Sequence, residues 1–197
     1  KALSECAPES TRVGGLTNIL PLAWFNWHNP VAATKAMRLR LAFTHGGSLM
    51  ARVAELMAEI HWALFDGYSL EETLLERIRK VHPHPYVNYP FRRWISACLT
   101  DEEVAFKHLR AGAEADDAVP LAFYLALKYR DDTESALLAN ANLGGETCAR
   151  GALIGSMLGA ANTCEDIPAE LVQKLTHFEK LEALSERFVS LALSRPG

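Results

Sequence analysis

Three glycines, Gly151, Gly155 and Gly159, recur every fourth residue inside the apolar run 151–160. At a helix-interior position each costs about 0.8–1.0 kcal/mol relative to alanine. Three on one face call for a compensating gain, and close approach of a neighbouring backbone is the simplest. The spacing therefore predicts a buried helix stripped of side chains along one face. Just ahead of it, Asn140, Asn142, Gly144, Gly145 and Glu146 read as a polar, glycine-hinged turn that follows the apolar run from Ala136. A turn at the start of a buried helix sits where free backbone N–H groups and the positive dipole end attract anions. The stretch 136–168 is thus the place to look for a ligand.

The remainder of the chain reads as helical support. Asn29-Pro30 signals a helix start that carries to about Phe43, and Thr44-His45-Gly46-Gly47 breaks it. Ser48–Asp66 holds Leu49, Val53, Leu56, Met57, Ile60 and Leu64 at spacings of three and four, and Gly67 stops it. Ser69–Glu72 reads as a capping box, and Thr100 as the cap of a helix opening on Asp101-Glu102-Glu103. Pro21 is expected to end or kink the apolar run that begins at Leu16. Ala113–Tyr129 is strongly apolar, Asp131–Asn140 opens on acids, Ile167-Pro168 starts another helix, and Glu179–Leu193 closes the chain through Leu181, Leu184, Phe188 and Leu191. Nothing alternates with period two. The expectation is an all-α, compact multi-helix bundle of roughly nine or ten helices, forming a single domain over residues 1–197.

A net charge of −4 gives little footing for nucleic-acid or anionic-membrane binding. No apolar run reaches the roughly 18–20 residues that span a bilayer. Cys6, Cys98, Cys148 and Cys164 are scattered without a CxxC pair, which suits reduced thiols and a cytoplasmic setting. Among polar candidates, His45 precedes two glycines and reads either as a ligand-facing imidazole or as a helix-end side chain meeting the last carbonyls. Glu146 follows a glycine pair at a helix start, where the dipole favours an acid in any case. Cys148 reads as a small buried residue in preference to a nucleophile. His82-Pro83-His84-Pro85 lacks the supporting carboxylates of a metal tract; His28, His61 and His177 read as structural; Glu114-Ala115-Asp116-Asp117 reads as a helix-start acid cluster.

Taken in order, several of these stretches resemble the ADP-ribosylglycohydrolase family of all-α enzymes, from about Arg12 to Leu175. The family's late GGDxDT motif, small-residue helix and isoleucine-proline stand here as Gly144–Ala149, Gly151–Ala160 and Ile167-Pro168. Its Thr-His stands as Thr44-His45. Its early glycine turn stands as Gly14-Gly15-Leu16-Thr17-Asn18-Ile19-Leu20-Pro21, with Asn18 in place of an arginine. The resemblance implies ADP-ribose or an ADP-ribosylated substrate as partner, bound near Gly14, Gly15, Asn18, His45, Gly144 and Gly145. It also implies magnesium or manganese as cofactor, with Glu146 and, more weakly, Cys148 as what remains of the metal ligands. Where the family has two aspartates and a threonine, this chain has Glu146, Cys148 and Ala149; a thiol is a poor ligand for a hard cation and alanine offers none. The family's N-terminal Gly-Asp and Thr-Asp-Asp segments have no counterpart before Arg12, so the chain is expected to be the C-terminal two-thirds of the fold. Surface that such a segment covers is then open to association. Two functions follow from the resemblance. One is a hydrolase of an ADP-ribosyl N- or O-glycosidic linkage with an altered metal motif. The other is a catalytically degenerate member serving as an ADP-ribose- or nucleotide-binding, or protein-interaction, module.

Overall fold

Among the described residues twelve helices follow one another besides a 3-10 turn at Pro85–Val87, and side-chain caps mark the starts at Pro30, Leu70, Asp101 and Thr133. The computed structural model describes residues 9–81, 84–162 and 167–194. The expectations placed on residues 1–8 (with Cys6), on His82 and Pro83, and on Cys164 lie outside those residues. The helices are α1 (Gly14–Thr17), α2 (Leu20–Phe25), α3 (Pro30–Ala42), α4 (Ser48–Phe65) and α5 (residues 70–81). Then come α6 (Phe91–Ser96), α7 (residues 101–108), α8 (Ala115–Lys128), α9 (Thr133–Asn142), α10 (Thr147–Ala161), α11 (Ala169–Gln173) and α12 (Phe178–Leu193). No strand occurs among the described residues; one isolated antiparallel bridge pairs Arg12 with Glu114. No helix among them is long and apolar enough to cross a membrane.

Caps behave as their chemistry dictates. Asn29 accepts from the Ala32 amide at 3.0 Å, and Pro30 takes the first helical position. Ser69 accepts from the Glu72 amide at 3.2 Å. At α7 the box closes both ways, Glu103 N–H to Thr100 Oγ1 at 3.1 Å and Thr100 N–H to Glu103 Oε2 at 3.2 Å. Pro21 interrupts the first apolar run as expected: α1 ends at Thr17 and a new helix begins at Leu20. The proline sits at the start of α2, where its missing N–H would have been unpaired anyway.

The core centres on α8, buried at every position from Ala118 to Leu127. Pro120 removes one of its hydrogen bonds, at a cost of roughly 3 kcal/mol. Burying Leu121, Phe123, Leu125 and Leu127 contributes roughly 1.5–3 kcal/mol apiece and outweighs that cost. Helix α10 packs against α8, α9 and α4, while α4 packs against α2 and α3. Buried within α4, His61 places Nδ1 2.7 Å from the Met57 carbonyl and stacks obliquely on Trp24.

Four expectations need correction. Asn140 and Asn142 belong to the last turn of α9 and not to a loop, because helical bonding continues to Asn142. Of the glycine stripe, only Gly151 is closely approached, and by the Asn140 side chain; a β-carbon on Gly155 or Gly159 would meet no neighbouring element within 4 Å among the described residues. Cys148 is exposed, since the first turn of α10 projects it outward. Finally, α12 has the apolar periodicity expected of it, but Leu181, Leu184 and Leu191 stay exposed and only Ala192 is buried. Its contact with the body runs through Phe188 on Phe25, ring centroids 5.5 Å apart.

Candidate functional site

Four segments distant in sequence converge at the N-terminal end of α10. The first is residues 11–13, which pair antiparallel with 113–115: Val13 N–H donates to the Ala113 carbonyl at 2.9 Å and Ala115 N–H to the Thr11 carbonyl at 2.7 Å. That pairing sets the register of Arg12. Its guanidinium Nη2 lies 3.5 Å from Glu146 Oε2, with the arginine side chain 61% and the glutamate 26% exposed. On the other side of the bridge, Thr11 Oγ1 donates to the Glu114 carboxylate. Two carboxylates at this rim are therefore each engaged by a residue from the same short segment.

The second convergence is between α1 and the loop after α3. Gly15 is buried beneath His45: a β-carbon on Gly15 would lie 2.6 Å from His45 Nδ1, so the imidazole rests against the glycine backbone. His45 Nδ1 is also 2.9 Å from Thr44 Oγ1. Partial burial lowers the His45 pKa, against a smaller opposing pull from Glu114, so the ring is neutral at neutral pH. Helix α1 in turn packs on α10. Gly14 is exposed with open space beside it, and Asn18 is exposed at the far end of α1 from Arg12.

The Gly144-Gly145 turn is held from within. Both residues have positive φ, 68° and 70°. A β-carbon on Gly145 would run into the Ala111 carbonyl oxygen, whereas Gly144 faces open space. Beneath the turn Arg150 is fully buried. Its Nε donates to Asn140 Oδ1 at 2.6 Å, and its Nη2 to the carbonyls of Asn140 (3.0 Å) and Gly144 (2.8 Å). Asn140 Nδ2 donates onward to the Thr147 carbonyl at 2.9 Å. The end of α9, the glycine turn and the start of α10 are thus tied to one guanidinium. Burial lowers the Arg150 pKa, and the nearby Glu146 carboxylate opposes that shift.

Sequence reasoning singled out Gly15, His45, Gly144, Gly145 and Glu146, which this cluster contains, and Asn18, which is exposed at the C-terminal end of α1. It did not single out Arg12 or Arg150, and it read Glu114 only as part of an acid cluster. Arg150 follows the glycine motif directly, and an arginine inside an apolar helical run is itself a signal. Arg12 carries no local signal, because its role arises from pairing with residues about a hundred positions away.

Whether a divalent metal fits can be judged from the donors. Glu146 caps α10 and its carboxylate faces Arg12. Cys148 is two residues on, a spacing that does not share a helix face, and Ala149 is buried without a donor. Among the described residues no three histidine, cysteine or acidic side chains gather as a metal-holding group. Magnesium and manganese want several oxygen ligands, so the residues present do not fit either ion.

An apolar groove of about 470 Å³ lies elsewhere, lined by Trp24, Trp27, Phe65 and Phe188 among others, and includes none of these polar residues. Comparison with protein families matches residues 2–196 to the model described as ADP-ribosylglycohydrolase. Comparison with curated proteins gives no match.

Proposed function

Because the chain belongs to the ADP-ribosylglycohydrolase family, which acts on ADP-ribosylated substrates, we propose that it recognises ADP-ribose without metal-dependent hydrolysis. The observation that carries this reading is the state of the late motif: Glu146 is paired with Arg12, while Cys148 and Ala149 supply no hard ligand. The family is known for divalent-metal dependence, and these residues have lost the means for it. What remains suits binding. The positive end of α10, a helix of 15 residues, faces the glycine turn and favours a phosphate or pyrophosphate. The neutral His45 ring, seated on Gly15, offers an uncharged hydrogen-bonding edge for a ribose hydroxyl. Gly14 and Gly144 leave room beside the backbone for a ligand to approach. A cytoplasmic setting, read from the scattered thiols, belongs to the same proposal.

Calorimetric titration with ADP-ribose, in magnesium and again in EDTA, tests it. The expected result is binding of equal strength in both. Absence of heat at millimolar ligand removes the recognition reading and leaves a protein-interaction module. Magnesium-dependent release of ADP-ribose from an ADP-ribosylated arginine or serine peptide establishes a hydrolase instead.

A further inference from the structure

We infer that Arg12 is a tethered cation that keeps divalent metal off the one carboxylate left in the late motif, Glu146. The inference rests on the proposed reading of Glu146 as the residue remaining from a metal site.

The main chain holds Arg12 where it can do this. The bonds Val13 N–H to Ala113 O and Ala115 N–H to Thr11 O flank residue 12 on both sides, and the Arg12–Glu114 bridge fixes which side chain meets the α10 cap. A substitution at position 12 that leaves the backbone intact keeps this pairing. Glu146 is anchored just as firmly, its carbonyl accepting the first α10 bond from Arg150 N–H at 3.2 Å. Two fixed backbones thus bring guanidinium and carboxylate to 3.5 Å.

The other charges at the rim do not supply an alternative ligand set. Glu114 receives the Thr11 hydroxyl. His45 Nδ1 is turned to Thr44 Oγ1. Arg150, beneath the turn, adds a second positive group near Glu146. A divalent ion approaching Glu146 therefore meets one occupied carboxylate and two guanidinium charges. A doubly charged ion beside a guanidinium is repelled even at the dielectric of water. Arg12 is the more exposed of the two arginines, so its removal should be felt first by an ion arriving from solvent.

The test is manganese titration followed by paramagnetic broadening of the backbone amide signals of Gly145, Thr147 and Cys148. It compares the natural chain, Arg12→Ala and the double variant Arg12→Ala/Glu146→Gln. In the natural chain these signals are expected to survive manganese levels that broaden other exposed acidic clusters. In Arg12→Ala the concentration for half-broadening should fall at least fivefold, and adding Glu146→Gln should restore resistance. Equal broadening in the natural chain and Arg12→Ala overturns the proposal, as does sharp signal in both at millimolar manganese. Broadening of Arg12→Ala that survives Glu146→Gln overturns it too. No ADP-ribose is present, so failure here is separate from failure of the recognition reading, which the calorimetry measures.

Discussion

Two arginines flank the same glycine turn, one beneath it and one above it, and they differ in nearly everything else. Arg150 is fully buried and ties three oxygens, two of Asn140 at the end of α9 and one of Gly144 in the turn, to its own helix α10. Arg12 is mostly exposed and reaches Glu146 across 3.5 Å. The first is expensive to bury and has its hydrogen bonds as compensation, although its Nη1 has no partner among the described residues. The second contributes little to stability, as exposed ion pairs do, and is free to act on what arrives from solvent. The turn is therefore shaped from inside and charged from outside. Mutations should separate the two roles.

The largest effect should come from the inner arginine. Arg150→Met fills similar length but strands Asn140 Oδ1 and the Asn140 and Gly144 carbonyls, for a loss of about 3 kcal/mol measured by urea unfolding. A loss under about 1 kcal/mol would mean that the turn is not held from within. Of comparable size is the pH effect of a second buried base, His61, whose pKa burial drives down to about 4 against smaller backbone pulls from Met57 and Ser156. The unfolded chain binds this proton near pH 6.5 and the folded chain does not. Stability from His61 is therefore fully present above about pH 6.5 and is lost as pH falls toward 4, by about 3 kcal/mol in all. Unfolding curves at pH 7 and pH 5 should diverge more for the natural chain than for His61→Leu.

The glycine pair refines the comparison, since both residues share φ and differ in surroundings. Gly144→Ala should cost about 1 kcal/mol for the left-handed backbone alone. Gly145→Ala should cost at least twice that, because its β-carbon also meets the Ala111 carbonyl. Equal losses would show that the loop around Ala111 yields easily. The third glycine effect has the opposite sign. Gly155→Ala should raise stability by about 0.5–1 kcal/mol, since the helix gains propensity and the new methyl meets open space.

These sign differences show where the sequence is readable. Caps at Asn29, Ser69 and Thr100 were legible because each is a contact within four residues, which the chain states locally. The all-α class was legible for the same reason. The glycine stripe was legible as a helix but not as an environment: its spacing cannot say whether a partner is present, and a β-carbon on Gly155 or Gly159 would meet none within 4 Å among the described residues. The same limit applies to α12, whose periodicity is that of a packed helix while its leucines remain in solvent. Asn140 was assigned to the turn for its polarity, yet it is buried because Arg150 needs it. At the site, the glycines and His45 stand out by composition, whereas the Arg12–Glu146 and Thr11–Glu114 contacts join residues 134 and 103 positions apart and leave no local trace.

The smallest expected effect is the one that most sharply divides inner from outer. Arg12→Ala should change unfolding free energy by no more than about 0.5 kcal/mol, since the lost pair is long and its arginine is mostly in water. The backbone bridge to Glu114 does not need the side chain and should hold. Urea unfolding of Arg12→Ala beside Arg150→Met reads the contrast directly. If the two cost alike, Arg12 is a structural clasp between residues 11–13 and α10, and its metal-excluding role becomes secondary to holding the fold closed. If Arg12→Ala is silent in stability, the charge above the turn is there for what approaches the rim, because the fold gains almost nothing by keeping it.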